Sequence, residues 1–317
     1  MMKIEDVSFG YDEKIILHNI SLEIQKGTNI ALIGESGCGK STLLKVLYGL
    51  YDVHSGHITW DGKPVLGPKY HLVPGMDFIK YLAQDFGLMP YITAAENVGK
   101  FLSNINAAAK KQRVLDLLSL VEMEEFADVQ AQYLSGGQQQ RIALAKVLAL
   151  EPEVLLLDEP FSHMDNFRKN ALRRNLFAYL KSKGITCITA THDSVDALSF
   201  SDYTAVLEQG RIVDFDASKS VYFYPKTKYI ASLFGEVNEV MLSDLQYLNE
   251  EDDQTVLLYP HQLRVMEKGL LKVKVRGSYF RGSHFLIKGT AHGKVYFFES
   301  KNDLIPNMEV FIGLNKR

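Results

Sequence analysis

The chain has 317 residues, of which 46% are hydrophobic and 23% charged, which is the composition of an ordinary globular protein with room for two domains. Its formal net charge of -3 gives no global reason to expect nucleic acid or an anionic membrane as a partner. No signal peptide or membrane-spanning run is predicted. The two cysteines, Cys38 and Cys187, indicate neither a disulfide framework nor a metal site, so a reducing cytosol is expected.

Residues 3 to 24 alternate in a β pattern and predict two strands joined by a turn that contains Tyr11. A tyrosine in a turn has no functional role by default. Here a glycine-rich loop follows, and this makes a second interpretation attractive, in which the ring offers a face on which a nucleotide base stacks.

The segment Gly34–Thr42 matches the phosphate-loop pattern G-x-x-x-x-G-K-[ST]. An apolar run at 30–33 predicts a buried strand before it, and helical spacing from Ser41 to Leu50 predicts a helix after it. Glycines let backbone N–H groups point inward, and the helix N-terminus adds positive potential. Lys40 is predicted to reach the β- and γ-phosphates and Ser41 to bind Mg²⁺. The alternative, a chance glycine-rich turn, is disfavoured by the flanking strand and helix. The residues of this candidate loop are Gly34, Glu35, Ser36, Gly37, Cys38, Gly39, Lys40, Ser41 and Thr42.

A mixed helical region is predicted from about residue 87 to residue 150, after a strand that leads to Gln84. Its basic residues Lys110, Lys111 and Arg113 are interpreted as a solvated face. Near its end, Ser135 suits the N-cap of a helix whose first turn begins with two glycines. A helix N-terminus without side chains attracts anions. A helix cap alone would not need two glycines, so this segment is predicted to be a second anion site.

An apolar strand at 154–157 delivers Asp158 and Glu159 to its carboxyl end, where ligands gather in open α/β sheets. Adjacent carboxylates at such a position are costly without a cation. We therefore expect Asp158 to contact Mg²⁺ and Glu159 to act as a base on water. A second buried strand, at 185–191, ends at His192, which is predicted to lie on the same edge.

The pattern changes near residue 236, where an acid-rich segment (236–253) precedes short alternating strands with Gly and Pro turns. This predicts a small β-barrel or sandwich. The expected division is therefore a first domain at 1–235 and a second at 236–317.

Taken together and in order, these motifs resemble those of the ATP-binding cassette (ABC) ATPases over roughly residues 1 to 235. The five-residue signature Leu134–Gln138, in register between the two phosphate-site motifs, is the most specific of them. One position departs from the usual pattern, because Met164 stands where leucine is common in the D-loop. The matching positions are the adenine-stacking Tyr11, the Walker A loop 34–42, the Q-loop Gln84, the signature 134–138, the Walker B segment 154–158 with catalytic Glu159, the D-loop 162–165 and the switch His192.

The resemblance implies an α/β P-loop NTPase fold with a helical subdomain, and hydrolysis of ATP with Mg²⁺. It also implies a homodimer in which two ATP molecules are held head to tail between the chains. Glu159, His192 and Gln84 would be catalytic, and Ser41, Gln84 and Asp158 would hold the metal. The resemblance implies that Ser135 and Gly137 cap the γ-phosphate of a nucleotide held by the opposite chain, and Gly136, Gln138 and Asp165 are also expected to bind the nucleotide.

The C-terminal part resembles the transport-associated OB domain of importer ATPases, most clearly at residues 258–265. This implies an importer subunit at the cytoplasmic face of the cell membrane, with membrane permease subunits and, indirectly, an extracytoplasmic solute-binding protein as partners. The segment 234–238 resembles importers of iron(III), polyamines or similar small solutes.

Two other functions stay open at this point. One is an ABC exporter ATPase. The other is a soluble ABC ATPase whose OB-like domain binds single-stranded nucleic acid, because residues 254–317 hold eleven Lys and Arg against four acids, with aromatic residues between them. The acids at 236–253 balance that charge, so nucleic acid is not expected as a partner.

Overall fold

The protein is described by a computed structural model that covers residues 1–245 and 254–315, without the side chains of residues 166–168. The acidic residues 250–253 counted above lie outside these ranges. The described chain divides into two compact units, Met1–Val221 and Tyr222–Arg317. None of the helices in the described ranges combines the length and hydropathy that crossing a bilayer requires.

The first unit contains a six-stranded sheet in which every residue of the three central strands is buried. Five strands run parallel, and the strand Arg211–Ala217 at one edge is antiparallel to its neighbour. Because these strands are buried on both faces, their sequences are continuous apolar stretches. In spatial order the strands are β10 (Arg211–Ala217), β9 (Tyr203–Glu208), β3 (Asn29–Ile33), β8 (Thr186–Ala190), β7 (Val154–Asp158) and β6 (Ile79–Leu82).

A four-stranded antiparallel sheet belongs to the same unit. Its inward side chains, with those of the larger sheet and the first helix, form one apolar core that includes Trp60 and Leu44. In spatial order its strands are β2 (Lys14–Ile24), β1 (Met2–Tyr11), β4 (Ser55–Trp60) and β5 (Lys63–Pro64).

Helices in the described ranges begin and end as follows: α1 Lys40–Tyr48, α2 Ala94–Gly99, α3 Ala107–Leu120, α4 Gly136–Leu148, α5 Asn166–Lys183, α6 Ser194–Phe200, α7 Ser218–Phe223, α8 Lys228–Ser232 and α9 Leu242–Leu245, with 3₁₀ turns at Glu124–Phe126, Ala131–Tyr133 and Pro260–Gln262. The expected helical region is formed by α2, α3 and α4, which share a second apolar core with α5 and the sheet.

One interpretation of this region was wrong. Arg113 was expected on a solvated face, but its side chain is only 20% exposed. Its guanidinium donates hydrogen bonds to the carbonyl oxygen of Leu148 at 2.9 Å and to the hydroxyl of Tyr179 at 2.8 Å. Arg113 thereby adds a second donor to the Leu148 carbonyl at the end of α4, which also accepts from the N–H of Glu151 at 3.1 Å and has no donor inside its own helix.

The second unit is built on a closed five-stranded barrel, which agrees with the OB-like domain expected from the sequence. Closure satisfies the edge strands that an open sheet would leave unpaired. In order around the barrel, its strands are β13 (Leu263–Met266), β16 (Lys294–Ser300), β15 (Phe285–Ala291), β14 (Leu271–Phe280) and β17 (Glu309–Leu314). A separate two-stranded ribbon consists of β11 (Asn238–Met241) and β12 (Thr255–Leu258).

The division between the units falls inside α7, earlier than the boundary near residue 235 that the sequence suggested. The rings of Tyr222 and Tyr259 stack with centroids 4.4 Å apart and planes 3° apart, and His261 continues the stack. The segment 222–235 therefore packs with the second unit, because its aromatic side chains find their partners there.

Candidate functional site

The candidate site lies where parallel strands of the six-stranded sheet end. Gly34 follows β3, Gln84 follows β6, Glu159 follows β7 and His192 follows β8. Carboxyl ends of neighbouring parallel strands meet at one edge, and this is where α/β sheets bind ligands. The expectation that these motifs share an edge therefore follows from the strand order β3-β8-β7-β6.

The glycines of the 34–42 loop are required by its backbone. Gly34, Gly37 and Gly39 have φ angles of 155°, 81° and 111°. A Cβ on Gly34 would lie 2.1 Å from the carbonyl oxygen of Leu207, a contact that no side chain tolerates. Gly39 occupies the N-cap of α1 and supplies no capping side chain, so the helix N-terminus stays open to an anion.

Lys40 places its ammonium inside this loop. The side chain is 8% exposed, and Nζ donates hydrogen bonds to the carbonyl oxygens of Gly34 at 2.7 Å and Glu35 at 2.9 Å. Burial raises the pKa of the nearby Cys38 thiol, so this sulfur stays protonated beside the ammonium. A cation and an uncapped helix N-terminus in one glycine-rich loop fit a nucleotide phosphate.

Asp158 is almost fully buried, and both of its oxygens accept hydrogen bonds. The hydroxyl of Ser41 donates to Oδ1 at 2.9 Å and the phenol of Tyr81 donates to Oδ2 at 3.1 Å. Burial raises the pKa of Asp158, and these two hydrogen bonds act in the opposite direction. In the described ranges, no group of three or more His, Cys, Asp or Glu side chains is arranged so that it could hold a metal ion by itself. One carboxylate and one hydroxyl fit Mg²⁺, which usually completes its shell with phosphates and water.

Glu159 and His192 form a pair at the mouth of the site. Nδ1 of His192 lies 3.3 Å from Oε1 of Glu159, and the imidazole is more exposed than the carboxylate. Glu159 has a positive φ of 49°, and its N–H donates to the carbonyl oxygen of Ala190 at 2.9 Å. The backbone thus turns Glu159 away from the strand direction of Asp158, so adjacent carboxylates can serve separate roles.

Gln140 is a contact at this site that the sequence did not reveal. Its side chain is 2% exposed, and Nε2 donates to the carbonyl oxygen of Glu159 at 3.0 Å. Its Oε1 accepts from the N–H of His163 at 3.3 Å. The only sequence signal is that Gln140 shares the inward face of α4 with apolar residues, where an amide needs polar partners.

The second predicted anion site is the start of α4. Ser135 and Gln138 form a capping box, in which each side chain accepts a hydrogen bond from the other residue's backbone N–H. A cavity of about 390 Å³ opens at this point. Among the described residues, none from the 34–42 loop lines it. It is lined by Ser135, Gly136, Gly137, Gln138, Arg141, His163, Met164 and Asp165.

Two further predicted residues lie at the surface. Tyr11, at the end of β1, is 40% exposed and makes edge-on ring contacts with Phe9 at 5.1 Å and Tyr51 at 5.4 Å. Gln84 is exposed two residues after β6 ends. The structure therefore groups the loop, Asp158, Glu159 and His192 at one edge and places Ser135–Gln138 with Asp165 in a different cavity.

Residues 17–162 match the family model described as ABC transporter. The chain is 38% identical over 261 residues to the spermidine/putrescine import ATP-binding protein PotA of Thermotoga maritima, covering 82% of this chain and 69% of the relative. The chain is also 32% identical to PotA of Clostridioides difficile, in an alignment that covers 95% of this chain and 91% of the relative. The chain belongs to the ABC transporter ATP-binding family. It is accordingly an ATPase, and ATP is its nucleotide.

Other similar proteins agree with this assignment. The Fe(3+) ions import ATP-binding protein FbpC of Haemophilus influenzae is 32% identical over 238 residues, covering 74% of this chain and 68% of the relative. Among solved structures, the dimeric bacterial ABC transporter cassette MJ0796 superposes with a TM-score of 0.61 at 28% identity, covering 69% of this ABC ATPase and 99% of that chain. CbiO1 of Clostridium perfringens superposes with a TM-score of 0.61 at 29% identity, covering 71% of this chain and 91% of that chain.

Proposed function

We propose that this ABC ATPase energises the import of a small solute, docked on membrane permease subunits at the cytoplasmic face of the cell membrane. The observation that carries the dimeric arrangement is that two phosphate-seeking helix N-termini, at Gly39 and at Ser135, lie apart in one chain, since the cavity at Ser135 is lined by none of the described residues of the 34–42 loop. Each is half of a nucleotide site. A head-to-tail homodimer completes both halves at once.

In the proposed dimer, the loop 34–42 of one chain holds ATP while Ser135, Gly136, Gly137 and Gln138 of the other chain cap the γ-phosphate. Asp165 of the D-loop lies beside this cap in the same cavity. Support comes from the similar cassette MJ0796, whose solved structures are dimeric, one of them bound to ADP and Pi.

Binding would use the contacts already present in the loop. Lys40 would exchange its two carbonyl acceptors for phosphate oxygens, which are stronger acceptors because they are charged. The exposed ring of Tyr11 would stack on the adenine. Ser41, Asp158 and Gln84 would hold Mg²⁺, and the metal would supply positive charge that neutralises charge developing on the phosphates.

In the hydrolytic step, Glu159 would accept a proton from water as the water oxygen bonds to the γ-phosphorus and the bond to ADP breaks. His192, 3.3 Å from Glu159, would hold this carboxylate and contact the γ-phosphate. Gln140 would fix the backbone of Glu159 through its carbonyl oxygen. Loss of the γ-phosphate would then release the two chains from each other.

The proposed permease contact is a groove beside Gln84 in the first unit. It is a cavity of about 570 Å³ with exposed apolar side chains, among them Val73 and Phe101. Exposed apolar surface at a concave site is typical of a protein interface. Ala83 and Asp85, the two neighbours of Gln84 in the chain, line the groove. Gln84 would therefore transmit the presence of bound nucleotide to the permease.

For the solute, we propose a polyamine, iron(III) or a similar small species. The relatives named above are import ATP-binding proteins for spermidine and putrescine or for Fe(3+). The solute would be delivered by an extracytoplasmic binding protein that meets only the permease. An exporter is the competing function, since an Atm1-family ABC exporter superposes with a TM-score of 0.63 at 25% identity. Reconstitution with the co-purifying permease and measurement of the direction of solute transport decides between them.

The dimer and the role of Glu159 are tested with Glu159→Gln. We expect normal ATP binding, ATP hydrolysis at no more than ~1% of the parent rate because a positioned base contributes ~10²- to 10⁴-fold, and accumulation of an ATP-bound dimer in analytical ultracentrifugation. Undiminished turnover would contradict the role of Glu159.

The matched control is the double variant Glu159→Gln with Ser135→Asp. Aspartate caps a helix as well as serine does, so α4 is preserved, but its charge repels the γ-phosphate of the other chain. This variant should bind ATP and remain monomeric. A dimer that persists in the double variant would show that the Ser135 turn does not cap the nucleotide.

A further inference from the structure

The phenol of Tyr81 is a polar group at the site that the proposed chemistry does not yet use. It donates to Oδ2 of Asp158 at 3.1 Å, while Ser41 donates to Oδ1 at 2.9 Å. The two donors hold opposite oxygens of one carboxylate. A carboxylate held on both oxygens cannot rotate about its Cβ–Cγ bond without losing a hydrogen bond.

The surroundings keep Tyr81 in this position. It lies on β6, which pairs in parallel with β7 so that Tyr81 is opposite Leu156 and Leu82 is opposite Leu157, directly before Asp158. Its ring packs against that of Tyr48 with centroids 5.6 Å apart. Burial raises the pKa of Tyr81, and the neighbouring Asp158 carboxylate raises it further.

We propose that Tyr81 is a positioning residue for the metal, which acts by fixing the plane of the Asp158 carboxylate so that Oδ1 faces Ser41 and the Mg²⁺ of the bound nucleotide. The inference rests on the proposed role of Ser41 and Asp158 as metal ligands. Partners that orient a metal-binding carboxylate typically change metal affinity 10- to 100-fold when removed.

The chain provides a matched pair of variants. Tyr81→Phe removes only the hydroxyl that bonds Asp158. Tyr48→Phe removes a hydroxyl from the ring that packs against it at a tilt of 37°. Tyr48 is also partly buried, and burial raises the pKa of its phenol, but it makes no hydrogen bond to Asp158 among the contacts described. Both changes preserve ring packing, so a general effect on stability appears in both.

The measurement is binding of Mn²⁺, which takes the same carboxylate, hydroxyl, phosphate and water ligands as Mg²⁺. It is titrated into the full-length protein loaded with ADP, and free Mn²⁺ is followed by its electron paramagnetic resonance signal. We expect Tyr81→Phe to weaken Mn²⁺ binding about tenfold, while Tyr48→Phe behaves as the parent. ADP affinity in EDTA should be the same in all three proteins.

Equal Mn²⁺ affinity of Tyr81→Phe and the parent would overturn the inference and leave the proposed function intact. So would an equal loss in Tyr48→Phe, or loss of ADP binding in EDTA, since either points to a structural role. Asp158→Asn tests the premise separately. If it too leaves Mn²⁺ affinity unchanged, the proposed metal site itself is wrong. In the Asp158→Asn background, Tyr81→Phe should have no further effect, because Tyr81 acts through Asp158.

Discussion

Arg173 is the residue that holds the segment around His192. It is 2% exposed and lies between two acids, with Nη2 at 2.5 Å from Oδ2 of Asp193 and Nε at 2.6 Å from Oδ1 of Asp196. The hydroxyl of Thr191 donates to the second oxygen of Asp196 at 2.6 Å. A buried guanidinium is tolerated because it is paired, and its pairs fix the residues on both sides of His192.

This network predicts a pH-dependent contribution to stability. Burial alone would raise the pKa of Asp193, but hydrogen bonds from Arg173 and from the N–H of Val195 outweigh it and hold the pKa below its usual value of 3.8. A lowered acid pKa contributes stability above the unfolded pKa, and the contribution is lost as pH falls through the folded pKa.

We therefore expect Asp193→Asn to lower the free energy of unfolding by about 1–3 kcal/mol at neutral pH. Below pH 3.8 the difference from the parent should shrink. Asparagine still caps α6, so the helix is not the cause. Denaturant titrations across pH measure this. Glu23→Gln is the control, since its exposed 3.6 Å pair with Lys3 should contribute little at any pH. A pH-independent loss in Asp193→Asn would contradict the assignment.

At the scale of elements, the two glycines that begin α4 differ in what surrounds them. A Cβ on Gly137 would lie 2.7 Å from the carbonyl oxygen of His163, whereas a Cβ on Gly136 would meet nothing within 4 Å. Gly137 is thus the point where α4 approaches the D-loop backbone. Gly136 has no such packing requirement.

The pair predicts opposite effects on stability. Gly137→Ala should destabilise the fold by about 1–3 kcal/mol, as overpacking does, because the backbone of His163 must move. Gly136→Ala should be neutral or stabilising by up to about 1 kcal/mol, since alanine is the better helix former. Chemical denaturation of the two variants side by side checks this. Equal effects would mean that the approach of His163 does not constrain α4.

Apolar periodicity and short motifs were sufficient to predict most of these elements. The buried strands β3, β7 and β8 could be predicted because their residues are apolar on both faces, and the loop 34–42 because glycine spacing is visible in the sequence. Tyr81, Gln140 and Arg113 could not be predicted. Their roles depend on which strands and helices become neighbours, and local sequence carries no record of that pairing.

At the scale of the whole molecule, the first unit has two apolar cores and the second has a separate one. Within the second unit, the buried amide of Asn238 links two parts of the structure. The side chain is 2% exposed. Nδ2 donates to the carbonyl oxygens of Leu258 at 3.1 Å and Phe297 at 2.7 Å, and Oδ1 accepts from the N–H of Phe297 at 2.7 Å. One amide therefore ties the β11–β12 ribbon to strand β16 of the barrel.

Asn238→Ala should destabilise the second unit by about 2–4 kcal/mol, because backbone groups of Leu258 and Phe297 lose buried partners. Hydrogen exchange followed by mass spectrometry should show reduced protection in β11, β12 and β16, with β3 and β7 unchanged. Asn315→Ala is the control, because its exposed amide makes a single hydrogen bond to the carbonyl oxygen of His261. Unchanged exchange in β16 would refute the role of Asn238.

The edge strand β5 has a consequence for a chain that is proposed to meet a second copy of itself at every turnover. It is two residues long and ends at Pro64, which pairs with Thr59 and carries no amide hydrogen. A strand so short and so poor in donors is a weak template for a foreign strand. When two copies meet, strand addition at this edge is thereby disfavoured, and in the proposed dimer the bound nucleotide would be what joins the copies and, once hydrolysed, releases them.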